Sequence, residues 1–200
     1  MNKNLADMSL EELWQLFPIF LTPHRPCWKD WYDEEAERLQ NAIPQLVRIS
    51  HIGSTAVPTI WAKPIIDILL EVPQYADFDL VQEQIEQCGY LCMSQTANRR
   101  SFNKGYTENG FAERVFHLHL CHQGDHDELY FRDYLLNHAD IAKEYEPLKL
   151  QLWKKYEQTV TAIQLPSPIS SRLIPSGQRR NTRIGMNEKG CHFRDILLLL

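Results

Sequence analysis

Residues 64 to 72, PIIDILLEV, make an almost continuous apolar run with one acid near its centre. A run of that length and composition reads as a β-strand covered on both faces, so the rest of the chain must supply a layer above it and a layer below. Asp67 is the exception within it. An ionised carboxylate among Ile65, Ile66, Ile68 and Leu69 is costly unless a cation or hydrogen-bond donors compensate it. Just upstream, LVRISHI (46 to 52) alternates apolar and polar residues and runs into Gly53, a strand entering a turn. Gly53 lets backbone N–H groups approach an anion, and Ser54 adds a hydroxyl. A Gly–Ser pair by itself is an ordinary tight turn. What gives Gly53 and Ser54 weight as phosphate-binding candidates is Asp67, thirteen residues on, where a metal ion would offset the buried charge.

Around this pair the periodicity is mixed. Ser9 and Glu12 form a capping-box signature, and Leu10, Leu13, Trp14, Leu16 and Phe17 predict a first helix near 9–20. Trp28, Trp31, Tyr32, Ala36, Leu39 and Ile43 predict a second, ending at Pro44, whose acids Asp33, Glu34, Glu35 and Glu37 read as a solvated face. A third is expected near 77–88, stopped by Gly89. YLCMSQ (90–95), RSFNKGY (100–106) and AERVFHLHLC (112–121) are β-prone runs that continue the sheet in antiparallel or mixed fashion. From Glu128 to about residue 163 the pattern is helical again, in two helices broken near His138, with Pro147 early in the second. The expected fold is α+β, a mixed sheet with flanking helices and a C-terminal helical part.

The bulk numbers narrow the partners. A net charge of −5 gives the whole molecule no electrostatic reason to bind polymeric nucleic acid, although a small charged ligand remains open. Residues 164–200 differ from the body, with six Arg or Lys against two acids and a Pro/Ser/Gly-rich sequence, so the domain is placed at 1–163 and the remainder read as a loose basic extension. Five cysteines without a CxxC pair fit neither a disulfide framework nor a zinc ribbon, which points to a reducing compartment. With no apolar leader at the N-terminus and only LLLL at the other end, the expectation is a cytoplasmic protein without a membrane span.

IGSTAVP (52–58), AKPIIDI (62–68), FHLHL (116–120) and FRDYL (131–135) resemble the GrpB protein family, placed by fold in the DNA polymerase β-like nucleotidyltransferase superfamily. That resemblance implies a nucleotidyltransferase-like sheet, a nucleoside triphosphate and a small-molecule acceptor as partners, and divalent metal, magnesium or manganese. Superfamily enzymes usually carry two acids one residue apart on the strand after the Gly–Ser turn and a third acid on a neighbouring strand. Here the positions flanking Asp67 at that spacing are Ile65 and Leu69, so one acid of the pair is missing. Glu71 shares the strand face and is a candidate ligand toward the rim. His117 and His119 share one face of the HLHL strand where the third acid is expected, and a set of two imidazoles and a carboxylate would suit zinc, manganese or iron better than magnesium.

Asp67, His117 and His119 are therefore the candidate catalytic and metal-ligating residues, with Glu71 added to the metal set. Gly53, Ser54, Lys63 and Arg100 are the candidate phosphate-binding set, Arg for its bidentate fork, with Arg99 and Lys104 as weaker neighbours and His51 as a donor or base beside the turn. Arg132 and Asp133 read as a pair fixing a helix against the sheet, and Trp14, Trp28, Trp31 and Trp61 as core. Three functions follow: a metal-dependent nucleotidyltransferase; a nucleotide- or anion-binding module that has lost the chemistry; and a metal-dependent hydrolase built on Asp67, His117 and His119.

Overall fold

The computed structural model describes residues 15–18, 20–124 and 126–156. Most of the helix expected at 9–20 and all of the extension 164–200 lie outside the described residues. In chain order the elements are α1 (Cys27–Ala42), β1 (Arg48–Ile52), a single 3-10 turn (Ser54–Ala56), β2 (Ile66–Val72), α2 (Phe78–Gln87), β3 (Leu91–Gln95), β4 (Arg99–Thr107), β5 (Gly110–His122), α3 (Asp127–Asn137) and α4 (Ala139–Tyr156). The α+β expectation holds. Among the described residues no helix is long and apolar enough to cross a membrane.

The strands form one sheet in the order β1-β2-β5-β4-β3. Only the β2–β5 pairing is parallel, because α2, β3 and β4 carry the chain across before β5 returns beside β2; the other pairs are antiparallel. Every residue of β2 is buried, as its apolar run requires. Strand alternation sends Ile66, Ile68, Leu70 and Val72 to one face, where they pack with Trp28 and Leu39 of α1 and Phe78, Val81 and Ile85 of α2. Full burial of such side chains stabilises by about 1.5–3 kcal/mol each, so this layer holds the sheet.

Asp67, Leu69 and Glu71 go to the other face. There Leu69 packs with Ile52, Cys121 and Leu129 of α3, a small apolar patch in a mostly polar layer. Leu135 of α3 and Ala142 and Tyr145 of α4 close over Val57 and Ile60, the segment that follows the Gly–Ser turn. The C-terminal helices thus cover the Asp67 face while α1 and α2 cover its back. Glu35, read as solvent-facing, and Lys104, read as a weaker phosphate neighbour, prove to be partners in the fold. Glu35 is 7% exposed because it lies on the same stripe of α1 as Trp28 and Leu39, and it meets Lys104 Nζ at 2.6 Å. Lys104 also lies over the Tyr90 ring, on the α1 face and away from Asp67.

Candidate functional site

The turn after β1 is held in place before it meets any ligand. Thr55 Oγ1 donates to Ile65 O at 3.2 Å, tying the 3-10 turn to the start of β2, and His51 Nε2 lies 3.0 Å from the same hydroxyl. Ring stacking on Tyr32 and burial go with this, and burial, then the Arg132 charge, lowers the His51 pKa to about 4. His51 is therefore a neutral member of the turn's frame, on the opposite sheet face from Asp67. Gly53 adopts φ +70°, and a Cβ built there would lie 2.4 Å from Asp67 Oδ2. Glycine is required twice over, by the backbone angle and by the carboxylate against it. The Gly–Ser turn and Asp67 thus touch.

Asp67 is 5% exposed. It pairs across the sheet with Ile52 on one side and His117 on the other, and His117 Nδ1 lies 3.5 Å from Oδ1. That spacing is too long for a good hydrogen bond, and Oδ1 has no hydrogen-bond partner among the described residues. Burial pushes the Asp67 pKa up, against the opposing pull of His117, Lys63 and Lys149. The other ring nitrogen of His117 lies 2.8 Å from the Tyr106 hydroxyl, whose pKa burial raises.

The charges of two lysines act on this carboxylate. Lys63, half-buried, has its pKa lowered by burial against the attraction of Asp67. Lys149, reaching in from α4, is 5% exposed, and its Nζ has no partner among the described residues. Burial first, then repulsion from Lys63, brings its pKa down to about 7, with Asp67 and Glu146 pulling the other way. Lys149 was not among the residues expected from sequence. Its signal was present: Ala142, Tyr145 and Lys149 recur at i, i+3 and i+7 and are all buried, so a lysine occupies a position on the apolar stripe of α4.

The remaining candidates separate. His119 shares the face but its Nδ1 goes to Ser101 Oγ at 3.3 Å, and burial, then the Arg99 charge, hold its pKa well below the usual imidazole range. Glu71 is fully buried and already engaged: Arg48 grips both oxygens, the Gly124 N–H donates to it at 3.3 Å, and His126 Nε2 lies 3.3 Å away. Arg100 lies on the back of the sheet, where it donates to Phe78 O at 3.0 Å and Gln82 Oε1 at 2.7 Å and pairs with Asp79, fastening α2. It does not join Gly53, Ser54 and Lys63. Arg132 donates to His51 O at 2.9 Å and to Asp133, docking α3 onto β1 as its motif suggested. Among the described residues no group of three or more His, Cys, Asp or Glu side chains could hold a metal ion.

The donor set decides which metal fits. Zinc or iron needs three or four protein ligands, and Asp67, His117 and His119 do not converge to supply them. Asp67 with its bare oxygen suits magnesium, which keeps most of its waters and is held by one or two carboxylates together with substrate phosphates.

Residues 18–163 match the GrpB protein family. The UPF0157 protein YqkA of Bacillus subtilis is 40% identical over 139 residues, 66% of this chain and 39% of that protein. The glutamate-rich protein GrpB of Alkalihalophilus pseudofirmus is 36% identical over 145 residues, 69% of this chain and 83% of that one. A UPF0157 protein of Pseudomonas aeruginosa is 38% identical over 143 residues, and the chain spans 58% of its length. Two of these three relatives therefore extend well beyond the matched region. The crystal structure of the conserved protein GrpB from Enterococcus faecalis superposes with a TM-score of 0.61 at 33% identity, covering 70% of this chain and 87% of that one. Structures of the Cid1 poly(U) polymerase align at TM-scores of 0.47–0.48 and 14–17% identity, too distant to assign chemistry. On the match over residues 18–163 and the 36–40% identity to these relatives, the chain belongs to the GrpB protein family.

Proposed function

We propose that the chain binds the phosphates of a nucleoside triphosphate between the Gly53–Ser54 turn and Lys149, and transfers the nucleotidyl group to a small acceptor. One observation carries this reading. Asp67 is buried against Gly53 with an unpartnered oxygen, and two cations act on its charge, the half-buried Lys63 and the buried Lys149, with Lys149 Nζ bonded to nothing described. Two ammonium groups around one carboxylate leave the pocket short of negative charge, and a polyphosphate supplies it. The turn positions the phosphates by close backbone approach, and the lysines stabilise charge that shifts to the leaving oxygens. A magnesium ion on Asp67, when bound, would withdraw charge from the phosphate oxygens. His117 Nδ1, too far from Asp67 for a good hydrogen bond, would take the proton of the acceptor hydroxyl in this reading, while Nε2 stays with Tyr106.

The absence of a second acid at Leu69 favours a second reading, an anion-binding module without turnover. Calorimetric titration with the four ribonucleoside triphosphates, with and without magnesium, followed by analysis of products, separates the two. Asp67→Asn should remove the magnesium dependence of binding, and Lys149→Met should weaken binding at least tenfold. Equal affinities in the wild type and both variants would sink the site assignment; tight binding with no product would leave the module reading standing.

A further inference from the structure

Two positions along the sheet from His117, three buried nitrogen atoms have no hydrogen-bond partner among the described residues. Ser101 faces His119 across the β4–β5 pairing and Arg99 faces Cys121 at the next such position, so Arg99, Ser101 and His119 share the Asp67 face. His119 is 9% exposed and Arg99 is also largely buried. Arg99 Nη1 pairs with Glu128 of α3 at 2.7 Å, but its Nε and Nη2 have no partner among the described residues, and neither does His119 Nε2. The Ser101 hydroxyl lies 3.3 Å from Nδ1, and the tautomer in which it donates to that nitrogen puts the ring proton of a neutral His119 on Nε2. All three unmatched atoms are then donors.

Donors buried without acceptors are costly, so three on one patch describe a missing acceptor. A water molecule accepts two hydrogen bonds and brings two protons that would need acceptors of their own here. An oxyanion accepts all three and brings none. Glu128 already offsets the Arg99 charge, so the patch offers directed N–H groups more than net positive potential, which suits a singly charged group.

We propose that Arg99, Ser101 and His119 form a subsite for an oxyanion, the carboxylate or phosphate group of the acceptor molecule. Two residues along a strand place it about 7 Å from His117, far enough for an acceptor to span the distance between its anionic end and its reacting hydroxyl. Naming the occupant as the acceptor rests on the phosphate-transfer reading above; the oxyanion site itself does not.

The test titrates inorganic phosphate and succinate, separately, into the full chain and three variants. Arg99→Gln/Glu128→Gln removes both partners of the ion pair, so neither charge is left buried alone. Ser101→Ala, a smaller change, releases the tautomer of His119 and covers the case in which the double variant does not fold. Ser54→Ala reports on the Gly–Ser turn. The expected result is binding of at least one probe, weakened at least tenfold by Arg99→Gln/Glu128→Gln and about threefold by Ser101→Ala. Which probe binds tells carboxylate from phosphate. Binding of neither probe overturns the proposal, as does a loss that follows Ser54→Ala while the Arg99 and Ser101 variants bind normally. That last pattern would place the anion at the turn and leave the nucleotide reading intact. Conversely, probe binding that behaves as expected while triphosphates fail to bind sinks the nucleotide reading and keeps the oxyanion site.

Discussion

Lys149→Met removes a cation held at 5% exposure without a hydrogen-bond partner among the described residues, and its effect on stability can be worked out with its sign. Burial and Lys63 bring the lysine from 10.5 to about 7. Between those two values the unfolded chain binds a proton that the native state does not, so stability rises with pH across that window, and below pH 7 the fold carries the whole cost of the buried charge. A displacement of that size corresponds to about 5 kcal/mol against the charged form. The net gain from substitution is smaller, about 1–3 kcal/mol, because Asp67 and Glu146 lose an attractive neighbour. Methionine matches the lysine stem closely enough to leave little cavity. Urea denaturation at pH 7 should therefore show the variant to be more stable than the wild type, with Tm higher by about 3–9 °C. Repeating the measurement at pH 9 should lower the variant's advantage by about 2–3 kcal/mol, enough to abolish or reverse it, since only the wild type has a proton to lose. A variant less stable at pH 7, or a difference that does not change with pH, would mean that Lys149 is a well-paired structural cation and would refute the reasoning.

Other substitutions read out the geometry directly. Gly53→Ala places a methyl group 2.4 Å from Asp67 Oδ2 at φ +70°, and chemical denaturation should show a loss of about 2–3 kcal/mol. Arg100→Met should destabilise by about 1–2 kcal/mol through its lost bonds to α2, yet leave triphosphate titrations unchanged within twofold, because the guanidinium lies behind the sheet. Arg48→Ala should cost about 3 kcal/mol and Glu71→Gln only about 1 kcal/mol in the same assay, since the fully buried carboxylate is stranded in the first case while the half-exposed Arg48 keeps its solvent in the second.

The architecture was legible wherever a local cost or period decided the matter. The apolar run of β2 could only be an interior strand, Gly53 could only be a turn, and the break at His138 between α3 and α4 follows the helical pattern closely. The histidines were also placed on the correct face, because strand alternation fixes His117 and His119 relative to each other. Their partners were not legible. His117 finds Asp67 and Tyr106 and His119 finds Ser101, so a shared face did not become a shared ligand set. Arg100 and Lys104 were misplaced for a related reason. Both share a strand face with Phe102, which is wholly buried, but in a sheet covered on both sides burial does not say which side that face is; only the pairing of β4 with β5 does.

Glu35, Lys104, Glu71 and Lys149 sharpen the point, because each breaks an apolar stripe and each invites a functional reading on that ground alone. Glu35 and Lys104 lie far apart in the chain and meet at 2.6 Å, and Glu71 is gripped by Arg48 and the Gly124 N–H. Their burial is repaid internally and asks for no ligand. Lys149 Nζ and Asp67 Oδ1 sit in the same kind of environment with no such closure, held near each other's charge but bonded to nothing described. A buried charge in a sequence marks an unresolved electrostatic cost. Whether that cost belongs to the fold or to a bound molecule depends on whether the partner is another residue of the chain; Lys149 Nζ has none among the described residues and Asp67 Oδ1 faces only His117 at 3.5 Å, too long for a good hydrogen bond, which is why the phosphate site is proposed between them and not at the equally buried Glu71.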